Sequence, residues 1–457
     1  MSQNSDRHAG TRRDILLGAG VLATAGSLSS TSALAASTSE KKDSRMTSVP
    51  SEKTYWLTNV RLEDGFEKNA EGNVVGTKAR TVSLLIENGK ITKIESNAPA
   101  TGAVPAYDMG GLLALPSFSD MHIHLDKGYY GGPWHAATPF VSVANHIKEE
   151  QGFLKSFLPE TPQRAKALLE LITSNGVTFA RVHCNVDPVI ELQNKDKVLE
   201  ALAEYKDKIG YQLVAFPQHG LLRDKETAGL MDKAMSNGFD IVGGLDPATI
   251  DHDIERSLNT TVELAVKHDA PIDIHLHDGG TLGLFTIKRL ADLAEQAKWH
   301  GKVTVSHAYC LGQASAGELA DLGAQMKSVG MTIISSAPID TTMPPLGELT
   351  KMGVTVHLGT DNINDHWSSY NSGLIVDRAN RAGEIIGFEG DHGISRLLKY
   401  FTQGKETLTD DGTVAWPKAD DVADITFVDA SCSAEFIARR KPTKAVIRNG
   451  KAGFWSV

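Results

Sequence analysis

Against 46 lysines and arginines the 457-residue chain sets 56 aspartates and glutamates, a formal charge of −10 with no basic stripe. Nucleic acid and anionic lipid both demand clustered positive charge, so neither is expected as a partner. The three cysteines, Cys184, Cys310 and Cys432, lie far apart with no CxxC pair, which argues against a disulfide framework and a thiolate zinc site alike.

Residues 1–36 read as a twin-arginine-type signal peptide. A polar start is followed by Thr11-Arg12-Arg13-Asp14-Ile15-Leu16-Leu17, an apolar stretch through Ala25, and small residues ending at Ala35-Ala36. The apolar stretch is too short to span a bilayer, so no stable membrane insertion is expected after its removal, and the expected location is periplasmic. The Ser/Thr/Lys-rich residues 37–51 read as a linker.

Residues 52–115 are β-rich, through TYWLTNVRL and RTVSLLIENGKITKIES, with a hairpin signal at Asn88-Gly89. Residues 420–457 repeat that character in ADITFVDA and TKAVIRNGKAGFW, with a second signal at Asn449-Gly450. The two ends together predict one small composite β-sandwich.

Between them, residues 116–419 alternate strand and helix patterns. The apolar runs VTFARV (177–182), QLVAFP (212–217), DIVGGL (240–245), APIDI (270–274), KVTVS (302–306), MTIISS (331–336) and VTVHLG (354–359) are separated by amphipathic stretches such as RAKALLELITSNG and IKRLADLAEQAKWHG. Counting LLALP (112–116) gives eight strand-like runs. Short buried strands joined by helices predict a parallel sheet, and eight of them predict an α/β fold of the (β/α)8 TIM-barrel type. A doubly wound sheet would need a Gly-rich phosphate turn after its first strand, and PSFSDMHIH is not one. Residues 129–160, with Gly131-Gly132-Pro133-Trp134, read as a lid or loop over the site.

Polar residues fall where such a barrel does its chemistry, at the C-terminal ends of strands: His122 and His124, His183, Gln218, His275, His307 and Asp361. On a strand, His122 and His124 leave the same face. Imidazole and carboxylate donors suit Zn or Fe as one divalent metal ion, which lowers the pKa of bound water to about 7. Hydrolytic attack on a carbonyl-like carbon follows, with His307 and the carboxylates of Asp361 and Asp278 as candidate proton carriers.

The segments Pro116-Ser117-Phe118-Ser119-Asp120-Met121-His122-Ile123-His124-Leu125-Asp126, Phe216-Pro217-Gln218, Ile272-Asp273-Ile274-His275, Val303-Thr304-Val305-Ser306-His307 and Gly359-Thr360-Asp361-Asn362 through Trp367 resemble the cytosine deaminase branch of the amidohydrolase superfamily. The continuation Leu125-Asp126-Lys127 is also similar to s-triazine amidohydrolases that remove an alkylamine from a ring. The resemblance implies metal binding by His122, His124, His275 and Asp361, with His307 hydrogen-bonded to the attacking hydroxide. It implies substrate contacts for Gln218, Asn362 and Trp367. Three positions depart from the family pattern: Asp278 replaces a proton-shuttling glutamate, Asn362 a second aspartate and His219 a glutamate. DIVGGLDP offers no lysine to bridge a second metal, only Asp246, so one ion is expected.

The expected function is hydrolytic deamination of a small nitrogen heterocycle. The alternative is a cyclic amide or s-triazine-type amidohydrolase that releases an amine or opens a ring. A non-catalytic periplasmic binding protein is the reading of a different class, and the oligomeric state, a homo-oligomer among the options, is left open by the sequence.

Overall fold

The computed structural model describes residues 49–97, 102 and 104–457. The expected export signal and most of the linker, residues 1–48, lie outside the described residues.

Eight parallel strands run in sequential order around a barrel: β1 Phe118–Ile123, β2 Val177–Asn185, β3 Gly210–Phe216, β4 Ile241–Leu245, β5 Ile272–Leu276, β6 Val303–His307, β7 Thr332–Ser335 and β8 Thr355–Leu358. Seven of them occupy the apolar runs read from the sequence. The first does not. Leu113–Pro116, counted there as a barrel strand, pairs antiparallel with Ile425–Val428 in the terminal sheet. Its place in the barrel is taken by Phe118–Ile123, every residue of which is buried. Ser119, Asp120 and His122 hide this strand from a search for apolar runs. Asp120 tolerates burial because it accepts the backbone N–H groups of Thr360 at 2.9 Å and His122 at 3.3 Å.

The seam between β8 and β1 closes through a parallel bridge from Ile123 to Asp361 and through the Asp361 N–H, which donates to the His122 carbonyl at 2.7 Å. Gly359 permits the approach: a Cβ there would stand 2.4 Å from the Cβ of His122.

Helices form the outer layer. RAKALLELITSNG becomes the helix Thr161–Ser174, which turns Ala165, Leu168, Leu169 and Ile172 into the core. Each such Leu or Ile contributes about 1.5–3 kcal/mol of burial. A capping box between Ser315 and Glu318 starts the helix Ala316–Ser328. Within the expected lid segment, Ser142 caps the helix α1, Val143–Phe157.

The terminal sheet draws Thr54–Lys68, Val74–Glu87, Lys90–Glu95, Ala106–Asp108 and Leu113–Pro116 from the front of the chain, and Ile425–Val428, Thr443–Arg448 and Lys451–Trp455 from the back. Both Asn-Gly turns take positive φ at their two residues, 49° and 83° at Asn88-Gly89 and 49° and 72° at Asn449-Gly450, as a tight antiparallel hairpin requires. Tyr55, Leu57, Leu84, Ile86, Ile425, Phe427 and Ile447 belong to its own apolar core. All three cysteines are buried and free. Among the described residues no helix is long and apolar enough to cross a membrane.

Candidate functional site

At the C-terminal mouth of the barrel, β1 and the turn after it supply His122 and His124, β5 supplies His275, β6 ends in His307, and the turn after β8 supplies Asp361. Asp361 Oδ1 lies 3.5 Å from His122 Nε2 and 3.6 Å from His124 Nε2, and His275 Nε2 lies 3.5 Å from His124 Nε2. Donors about 2.1 Å from one tetrahedral centre stand about 3.4 Å apart, so this spacing fits a single ion. Burial holds His122, His124, His275 and His307 well below the ordinary imidazole range, which keeps them neutral. Neutral imidazole is the form that donates a lone pair to a metal. His122 Nε2 is buried without a hydrogen-bond partner, as is His307 Nε2. His122, His275 and His307 also have nitrogens close enough together to hold one ion.

Backbone strain collects here. His307, Asp361 and Asp246 take φ of 70°, 64° and 36°, a region that non-glycine residues occupy at a cost and mainly where surrounding structure imposes it.

On one flank of the cluster stands a pair of which the sequence singled out only Asp246. His277 Nδ1 lies 2.8 Å from Asp246 Oδ2, and its ring stacks on that of His307 with centroids 4.4 Å apart. Burial opposes a charge on His277, but the Asp246 carboxylate outweighs it and raises the imidazole above its usual range. Asp278 faces a different set of partners. One of its carboxylate oxygens accepts the Ala248 N–H at 3.0 Å, and the other accepts the N–H and hydroxyl of Thr249 at 3.2 and 2.5 Å. Strand alternation was the available signal: Asp273, His275 and His277 share one parity and Asp278 the other.

The other flank is a buried charged net. Lys127 Nζ donates to Gln218 Oε1 and lies 3.6 Å from Glu150 Oε1, over the rings of Phe216 and Trp367 at 5.6 and 5.4 Å. Glu150 comes from α1. Its Oε2 lies 3.5 Å from His219 Nε2, and the Trp367 indole N–H donates to Oε1 at 3.3 Å. Burial would raise the Glu150 carboxyl, but the Lys127 ammonium, with His219 and Trp367, outweighs it and holds the group at about 2. Asn362 donates to Asp365 Oδ2 at 2.5 Å. Ile147 of α1 packs with Phe216, Leu245 and Ile250, so the helix lies against the strand ends. A 690 Å³ cavity beside α1 reaches this net at His219 and touches none of the four donors. Lys127 and His219 stood within or beside the family-like segments, whereas Glu150 carried no recognisable motif and only its depth in the fold sets it apart.

Beneath the cluster, Arg181 of β2 pairs with Asp273 of β5, its Nη1 donating to Oδ2 at 2.7 Å. Burial pushes the Asp273 carboxyl up, while Arg181 and Ser306 oppose the rise.

The signature of the amidohydrolase family matches residues 149–452. The chain is 37% identical over 99% of its length, and 99% of the relative's, to the uncharacterized protein YahJ of Escherichia coli (strain K12). It is 34% identical to N-isopropylammelide isopropyl amidohydrolase of Pseudomonas sp. (strain ADP), over 66% of this chain and 76% of that one. Among solved structures, N-isopropylammelide isopropylaminohydrolase of Burkholderia multivorans superposes with a TM-score of 0.78 at 26% identity, covering 89% of this chain and 99% of its own.

Proposed function

The chain belongs to the amidohydrolase family and is a hydrolase of carbon–nitrogen bonds other than peptide bonds, and from that premise we propose that it removes ammonia or a small amine from a ring carbon of a small, oxo-substituted nitrogen heterocycle. The observation that carries this reading is the donor cluster, with Asp361 Oδ1 at 3.5 and 3.6 Å from His122 and His124 Nε2 and His275 Nε2 at 3.5 Å from His124 Nε2, flanked by proton-carrying imidazoles on one side and by the Lys127–Gln218 pair on the other.

His122, His124, His275 and Asp361 would hold one zinc or iron ion. When bound, such an ion supplies Lewis-acid polarisation and brings the pKa of water to about 7. His307, whose Nδ1 lies 3.9 Å from Asp361 Oδ2, orients the attacking water, and Asp361 accepts its proton. His277, fixed by Asp246, returns a proton to the leaving nitrogen as the C–N bond breaks. This moves the acid role from Asp278, whose oxygens are taken by the loop after β4. Lys127 and the free amide N–H groups of Gln218 donate to a ring oxo oxygen, which is why an oxo-substituted ring suits this pocket. Trp367 walls the ring. N-isopropylammelide, after which two relatives are named, is the first candidate substrate this reading would try.

The test is turnover by the metal-assayed protein on a panel containing N-isopropylammelide, cytosine and a pterin. Release of amine or ammonia with the ring retained is expected. A metal-loaded protein that binds a panel member and releases nothing would instead be a binding protein, and ring opening would move it to the cyclic amidases.

A further inference from the structure

The inward side chains of four barrel strands form one line below the donor cluster. Asp273 Oδ1 accepts the Ser306 hydroxyl at 2.7 Å, and Ser306 Oγ lies 2.9 Å from His122 Nδ1. On the far side of Asp273 stands the Arg181 guanidinium, which also donates to Thr304 Oγ1 at 3.1 Å. Asp273 and Ser306 are fully shielded from solvent.

Proton counting along this line leaves one arrangement. A guanidinium does not give up its proton, so a neutral Asp273 would leave a bare cation in the barrel; the pair stays ionised and Asp273 only accepts. A serine hydroxyl has one proton, and Asp273 takes it. Toward His122, Ser306 can therefore only accept, so the imidazole carries its proton on Nδ1 and its lone pair on Nε2. Nε2 is the atom that faces Asp361 and has no hydrogen-bond partner.

We propose that Arg181, Asp273 and Ser306 are positioning residues that lock His122 in its Nδ1–H tautomer and so aim its Nε2 lone pair at the metal. This rests on His122 being a ligand, as argued above. Losing such an outer partner typically weakens metal binding 10–100-fold. Asp273→Asn probes the polarity of the line rather than its packing. Its amide oxygen turns to Arg181 and its NH2 group to Ser306, which reverses the hydroxyl, makes it donate to Nδ1 and moves the His122 proton onto Nε2.

Zinc affinity by chelator competition tests the proposal, with circular dichroism as the control for folding. Ser306→Ala is expected to weaken zinc binding about 10–100-fold, and Asp273→Asn at least as much. His122→Ala separates the two layers of the argument. If it keeps its zinc, the ligand assignment fails; if it loses zinc while Ser306→Ala binds like wild type, the tautomer lock alone is overturned. An independent reading that needs no variant is the nitrogen-15 histidine spectrum of the zinc-loaded wild type. A proton on His122 Nδ1 supports the lock, and a proton on Nε2 overturns it.

Discussion

Two carboxylates, one buried in the terminal sheet and one half-buried at the barrel mouth, are held in opposite ways. Glu63 accepts the Ser433 N–H at 2.6 Å, the Ser433 hydroxyl at 2.8 Å and the Thr407 hydroxyl, so its lone pairs are occupied by donors of the protein itself. Asp361 sits among the nitrogens of His122, His124 and His307 at 3.5, 3.6 and 3.9 Å, too far for hydrogen bonds. The first arrangement is complete. The second is a ring of neutral donors around a place for a cation. Buried polar atoms without partners cost free energy, and at the mouth they collect on the imidazoles of His122, His124, His183, His275 and His307.

Five substitutions break or sharpen that contrast. His124→Ala takes away a donor, so the ion is lost by elemental analysis and turnover falls to background; full retention of metal would strike His124 from the set. Asp361→Asn keeps the shape and much of the ion but removes the proton acceptor, and kcat is expected to fall about 10³-fold. His277→Ala is expected to lower kcat about 10²-fold with KM little changed, whereas Asp278→Ala lowers the melting temperature and leaves kcat near wild type. The reverse outcome would return the acid role to Asp278. Glu63→Ala strands three donors and costs about 3 kcal/mol of stability by denaturant titration, with kcat per folded molecule unchanged. A loss of kcat there would mean that the two regions are coupled.

Much of this was legible before any coordinates. Val/Ile-rich runs gave seven barrel strands because a parallel sheet covered on both faces is apolar throughout. His122, His124, His275 and Asp361 were found because each stands at or just beyond the end of a strand. The first barrel strand was missed for the same physical reason that it matters: its buried polar residues serve the seam and the site, and no apolar periodicity reports them. His277 was readable by alternation, yet Asp278 drew the eye as a near match to a glutamate. Glu150 was beyond reach, since a carboxylate on an amphipathic helix reads as solvated until the helix is laid on the barrel mouth.

The bridge from Ile123 to Asp361 joins the start of the barrel to its end. A growing chain that has made β1 but not β8 owns the histidine pair without the carboxylate, so stable capture of an ion must await the last strand. An ion held by these residues would be a clasp across the one junction that chain order leaves for last. At a thousandfold excess over its Kd it would resist unzipping there by about 4 kcal/mol.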